Sequence, residues 1–148
     1  MPSRNLPADE PCPVARSVDL VGDRWSMLIV RDAFDGIRRF SDFQRSLGVA
    51  RNILSDRLRK LVDAGILENQ AASDGSAYQE YVLTVQGENL FPVVVALRQW
   101  GERHLFAKGE AHSQLVDKHS GRPLARMAPQ AGDGRVLRAA DTEVRKLR

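Results

Sequence analysis

A chain of 148 residues is long enough for one domain with a genuine core and too short for two ordinary ones. Its composition, 43% apolar and 28% charged, excludes a disordered chain, and no apolar run reaches the ~20 residues that span a bilayer. The net charge of +3 identifies no partner by itself, but seven basic residues (Arg38, Arg39, Arg45, Arg51, Arg57, Arg59, Lys60) crowd into positions 38 to 60 against only Asp42 and Asp56. A local excess of that kind suits a polyanion such as nucleic acid.

Residues 1 to 11 read as a flexible, Pro-containing leader with no apolar segment of the secretory type, so a cytoplasmic location is expected. Cys12 is the one cysteine, which leaves no internal disulfide or thiolate zinc cluster and fits a reducing compartment. Val14, Val18 and Val21 recur at helical spacing up to Gly22, predicting a short helix near 13 to 21. Asp23 is placed to cap a second helix with Trp25, Leu28, Ile29 and Ala33 on its apolar face, ending at Asp35 and Gly36. In "RFSDFQRSLG", Ser41 followed by Gln44 has the form of a capping box, with Phe43 and Leu47 facing inward and Gly48 closing about two turns of helix.

The next helix, Ala50 to Ala64, carries Ala50, Leu54, Leu58, Leu61 and Val62 on one side and Asn52, Ser55, Asp56, Arg59 and Lys60 on the other, with Arg51 at its N-terminal margin and Gly65 as the stop. A short helix, a tight turn with Gly and a longer amphipathic helix make a helix-turn-helix. "ILENQA" and "YQEYVLT" then predict two strands around a turn at Asp74 and Gly75, so a hairpin follows the reader helix as a wing. Thr84 is placed to cap a further helix bearing Leu90, Val93, Val94, Leu97, Trp100 and Leu105, which Pro92 should kink or divide. From Ala107 to Arg148 no period is sustained, nine basic residues face five acidic ones, and a C-terminal ribbon or partly ordered tail is expected.

Read from the residues, this is a mainly α, α+β winged helix-turn-helix domain over 12–106 with a C-terminal extension. Arg51, Asn52, Ser55 and Arg59 have the donors and acceptors that suit guanine and adenine edges or phosphates, and Asp56 and Lys60 share their face. Arg57 lies at the edge of the apolar stripe, where an internal salt bridge competes with DNA contact. Ser41 has a structural role as a cap, and the first-turn amides it orients can also meet a phosphate. His104, His112 and His119 stand on no two adjacent turns and lack Cys or paired acids nearby, which argues against a metal site. Trp25 and Trp100 are read as packing residues. With no phosphate-cradling Gly loop and no nucleophile motif, neither a cofactor nor an enzymatic activity is expected.

The ordered segments "CPV" (12–14), "GDRWSMLIVRDAFDGIRRFSDF" from Gly22, "RNILSDRLRKLVDAGIL" from Arg51, "YVLTVQG" from Tyr81 and "ALRQW" ending at Trp100 resemble the HxlR family of winged-helix transcriptional regulators, a branch close to MarR-type proteins. The resemblance implies a homodimeric repressor of inverted-repeat operators on double-stranded DNA, with the helix from Ala50 to Ala64 in the major groove and half-sites about 34 to 36 Å apart or a multiple of that. It also implies that Arg38 and Arg39 approach the DNA backbone, and that Val14, Val18, Val94, Leu97 and Trp100 form the dimer surface. By the same resemblance Cys12 is a candidate sensor of oxidants or electrophiles, and a small-molecule effector is a candidate partner; a helix start and Arg16 near Cys12 are the features that lower a thiol pKa. Two features depart from the family pattern: the wing tip "ASDGS" has no Arg or Lys, and the extension has no cysteine pair. The competing reading is a winged-helix protein-interaction module without specific DNA binding, against which the basic exposed face of the reader helix argues.

Overall fold

Proline at the first helical position gives up an N–H that no helix start can use, and Cys12 supplies a cap, its Sγ accepting the Ala15 N–H at 3.5 Å. These begin α1, Pro13–Val21. The computed structural model describes residues 11 to 146, so all but Pro11 of the expected leader lies outside the described residues. α2 runs Arg24–Phe34, and the Asp23 carboxylate caps it by accepting the Ser26 N–H at 3.0 Å. Its buried face differs from the expected stripe: Val30 is fully buried beside Ile29, whereas Leu28 is only half-buried. The cause is that α2 is covered by α3, by α4 and by the second wing strand, so the buried arc is wider than one stripe.

The third helix corrects the capping assignment. α3 spans Phe40–Leu47, so its N-cap is Arg39, without a side-chain cap bond, and Ser41 lies exposed inside the first turn. The helix starts two residues earlier than the capping box requires because Arg39 takes the extended conformation of a cap while its carbonyl accepts the Asp42 and Phe43 N–H groups. Gln44 points its amide at the Val49 carbonyl at 3.4 Å instead of back to the cap. Gly48, with φ of 62°, ends the helix in the left-handed region and turns the chain into α4, Arg51–Asp63.

Leu54, Leu58 and Leu61 of α4 are buried, and with Ile29, Val30, Phe43, Ile66 and Leu67 they form the core. Ala50, expected on that stripe, is instead the exposed N-cap, and Ile53 joins the packed set. β1 (Leu67–Ala71) and β2 (Gln79–Leu83) pair antiparallel from Leu67 opposite Leu83 to Ala71 opposite Gln79. The Tyr81 N–H donates to the Arg38 carbonyl at 2.8 Å, joining the segment before α3 to the wing.

Pro92 divides the next helix, as its missing N–H requires. α5 is Val85–Glu88, capped by Thr84, whose Oγ accepts the Gly87 N–H at 3.0 Å. α6 is Phe91–His104, with Pro92 in the first turn, where no intrahelical donor is needed. Leu105 falls just beyond its end. A division into two compact units lies between Val94 and Val95. Within the second, Arg98 donates to the Ser113 carbonyl and hydroxyl at 3.0 Å, and Gln99 donates to the Ala125 carbonyl and accepts the Met127 N–H. Beyond α6 the described chain is irregular, with isolated antiparallel bridges at Val116–Pro123 and Gln130–Val136 and one 3₁₀ turn, Ala139–Asp141. No helix among the described residues is long and apolar enough to cross a membrane.

Candidate nucleic-acid interface

Because its apolar stripe is turned into the core, α4 turns Arg51, Asn52, Ser55 and Arg59 outward, and all four are exposed. Asp56 and Lys60 sit between the two faces. Asp56 gathers the cations around it: Arg57 Nη1 at 2.6 Å, Arg59 Nη2 at 2.6 Å and Lys60 Nζ at 3.0 Å. The hydrogen bond from Lys60 leads in holding its carboxyl below the ordinary range, helped by Arg59 against a smaller opposing effect of burial.

Arg57 makes the internal salt bridge that its place at the edge of the stripe allows. Its Nε donates to Asp23 Oδ2 at 3.1 Å while its Nη1 holds Asp56, so one guanidinium ties α4 to the cap of α2. Burial pushes the Asp23 carboxyl up, but the hydrogen bonds from Ser26 and Arg57 outweigh it and leave the group more acidic than usual. Arg51 has a different partner. Its guanidinium lies 4.9 Å from the Phe40 ring centroid, and no carboxylate pairs with it among the described residues. Of the seven basic residues between positions 38 and 60 it alone has no such partner there: Arg45 holds Asp42, Arg38 approaches Glu80, and Arg39 holds Asp74.

The last two pairs lie on the wing. Arg38 Nη1 stands 3.5 Å from Glu80 Oε1, and the Ser73 hydroxyl donates to Glu80 Oε2 at 3.3 Å, so this 5% exposed carboxylate has a counter-ion at the sheet edge. Arg39 reaches from the start of α3 to the wing turn, where its Nη2 bonds Asp74 and donates to the Ser76 hydroxyl at 3.4 Å, and its guanidinium lies 4.8 Å from the Tyr78 ring centroid. Asp23, Asp74, Tyr78 and Glu80 were not among the expected site residues. The carboxylate in an otherwise uncharged wing tip was the one local sign of them, and its partner is 35 positions away.

Beneath the wing a cleft of about 490 Å³ is lined by Phe34, Ile37, Arg38, Tyr81, Leu83 and Phe91, with the Phe34 and Phe91 rings 5.2 Å apart. Cys12 is half-buried at the start of α1. Val14 and Val18 are exposed on α1, as are Leu97 and Trp100 on α6, while Val94 packs against the core of its own unit. The His104 ring lies tilted against Trp100 and the His112 ring against Phe106, with centroids 5.2 and 4.9 Å apart; no group of three potential ligands for a metal occurs among the described residues.

Residues 20–108 match the HxlR-like helix-turn-helix family. The uncharacterized HTH-type transcriptional regulator Rv3095 of Mycobacterium tuberculosis is 37% identical over 136 residues, covering 82% of this chain and 86% of that protein. Among solved structures, the proposed transcription factor PA1607 is 54% identical with a TM-score of 0.88, over 93% of this chain and 96% of that one. The redox regulator HypR in its oxidized form is 30% identical with a TM-score of 0.58, over 65% of this chain and 100% of its own. The helix-turn-helix with its two-stranded wing is thus that of transcriptional regulators, not of an enzyme, and the chain belongs to the HxlR family.

Proposed function

We propose that this regulator is a homodimeric repressor that reads an inverted-repeat operator, with α4 of each subunit in a major groove. The observation that carries this reading is the two-sidedness of α4: buried Leu54, Leu58 and Leu61 fix its seat, and exposed Arg51, Asn52, Ser55 and Arg59 give it a hydrogen-bonding outer face. Arg51 and Asn52 match guanine and adenine edges, and Arg59, Lys60, Arg38 and Ser41 serve the phosphates. Asp56, both of whose oxygens are held by cations, serves to orient Arg59 and Lys60. The reading body is 12–106, and 107–148 is its extension. Dimerisation uses Val14 and Val18 of α1 with Val94, Leu97 and Trp100 of α6; the exposure of four of these apolar residues in a single chain supports this.

Regulation by oxidants or electrophiles acts through Cys12, whose sulfur already faces an N–H group at the start of α1 and is only half-buried. The likeness to HypR, a redox regulator, supports a redox signal in general. The cleft beneath the wing has the size and aromatic lining that a small-molecule effector requires. The deciding experiment is capture of genomic fragments by the purified protein, repeated with Arg51 and Arg59 both changed to Ala. A short inverted repeat recovered by the wild type and lost by the variant is the expected outcome; sequence-indifferent, salt-sensitive capture by both overturns the reading. For Cys12, quinone treatment should change operator affinity in the wild type and leave Cys12→Ser unmoved, and an equal response in both removes the cysteine.

A further inference from the structure

The wing tip from Ala72 to Ala77 contains no Lys or Arg, yet a guanidinium is fixed there. It comes from Arg39, whose backbone is the N-cap of α3. Three wing groups hold it: the Asp74 carboxylate, the Ser76 hydroxyl at 3.4 Å and the Tyr78 ring at 4.8 Å. The Asp74 carboxylate also accepts the Ser76 N–H at 2.9 Å, which closes the turn around it. That backbone bond, with the bonds to the Ser76 and Arg39 side chains, keeps the carboxyl at a pKa of about 2 and therefore ionised at any working pH. A guanidinium has five N–H donors in a rigid plane, and only Nη2 is used here; Nε and Nη1 of Arg39 make no hydrogen bond among the described residues.

We propose that Arg39 is the wing's DNA-contacting cation, and that Asp74 and Tyr78 are its positioning residues, aiming the free edge of the guanidinium at the minor groove beside each half-site. This rests on the reading of α4 as the major-groove reader. The wing does not need a basic residue of its own, because α3 lends it one across the joint between helix-turn-helix and hairpin. A planar cation held on an aromatic face also loses little freedom on binding, and a narrow A·T-rich minor groove favours such an insertion.

The sign of one substitution separates this from simple electrostatics. Asp74→Asn removes a negative charge from a DNA-facing surface, so charge alone makes binding tighter to every duplex. Positioning instead makes it weaker to the specific duplex, because the cation is no longer aimed. The test uses the full chain and a duplex selected by the wild type from a random-sequence library, beside a scrambled duplex, at one salt concentration. Arg39→Ala should weaken specific binding about tenfold, Asp74→Asn and Tyr78→Ala by about three- to fivefold, and Arg39→Lys nearly as much as Arg39→Ala, the scale of one lost base-edge contact. Asp74→Asn should have no further effect once Arg39 is Ala. Changing a flanking A·T pair to G·C should weaken the wild type and leave Arg39→Ala unmoved, whereas an inosine·cytosine pair, with the same minor-groove edge as A·T, should be tolerated. Tighter specific binding by Asp74→Asn, or an Arg39→Ala variant within twofold of the wild type, overturns the proposal while selective binding through Arg51 persists. A wild type that selects no sequence overturns the α4 reading and this proposal together.

Discussion

The outer face of α4 and the tip of the wing both pair cations with carboxylates, but they are assembled differently. On α4 the pairs are local: Asp56 collects Arg57, Arg59 and Lys60 from within four positions, and three buried leucines hold the whole helix in place. At the wing tip the carboxylate belongs to an exposed turn and the cation to a different element, with the Tyr78 ring as the third wall. The difference teaches that an exposed polar surface can be made rigid by the core beneath it or by a clasp across it. Local pairs of the first kind each contribute about 0.3–0.5 kcal/mol, so the seat of α4 comes from burial and not from its charges.

Breaking the seat should have the largest effect. Leu58 is fully buried, and Leu58→Ala should cost about 2–5 kcal/mol of stability in urea unfolding, while a wing-tip change such as Ala77→Ser stays within about 0.5 kcal/mol. Equal losses at the two positions would erase the contrast. A smaller effect is expected at the joint between α2 and α4. Asp23 ionises below its usual range in the folded chain, so its contribution is present above pH ~4 and is lost as acid protonates it through that lowered value. Asp23→Asn should therefore cost about 0.5–1 kcal/mol at neutral pH and flatten the acid limb of the stability curve, as the cap survives but the Arg57 pair does not. An acid limb identical to that of the wild type removes Asp23 from it. The smallest change is expected from Asp56→Asn, which should leave stability within about 0.5 kcal/mol and steepen the salt dependence of DNA binding by about one unit of slope, since the α4 cations are released from an internal partner. An unchanged slope would mean that those cations never meet phosphate.

What could be seen in the sequence follows the same division. The caps at Asp23 and Thr84, the stop at Gly48 and the division at Pro92 are set by neighbours a few positions away, and each stands where the residues imply. Arg57 showed its divided role by lying at the edge of the stripe, although nothing local identified Asp23 as its partner. The capping box at Ser41 was a local pattern defeated by a nonlocal one. Arg39 is drawn to the wing by its side chain and bonds the first turn of α3 through its carbonyl, so the helix begins ahead of the serine. The clasp at Asp74 joins positions 35 apart, and no periodicity reports such a pair. Val30 was missed for a related reason, since it is covered only because several elements converge on α2.

The most direct test of α4 as the reader is the ratio of affinities for the selected duplex and a scrambled one, measured at fixed salt for the wild type and for the chain with Arg51→Ala and Arg59→Ala. The expected ratio is about a thousandfold or more for the wild type, falling to within about tenfold of unity in the variant, as befits lost base contacts and not only lost charge. A ratio that survives both substitutions, with the two affinities lowered alike, would contradict it and leave α4 a charged helix that merely faces the solvent.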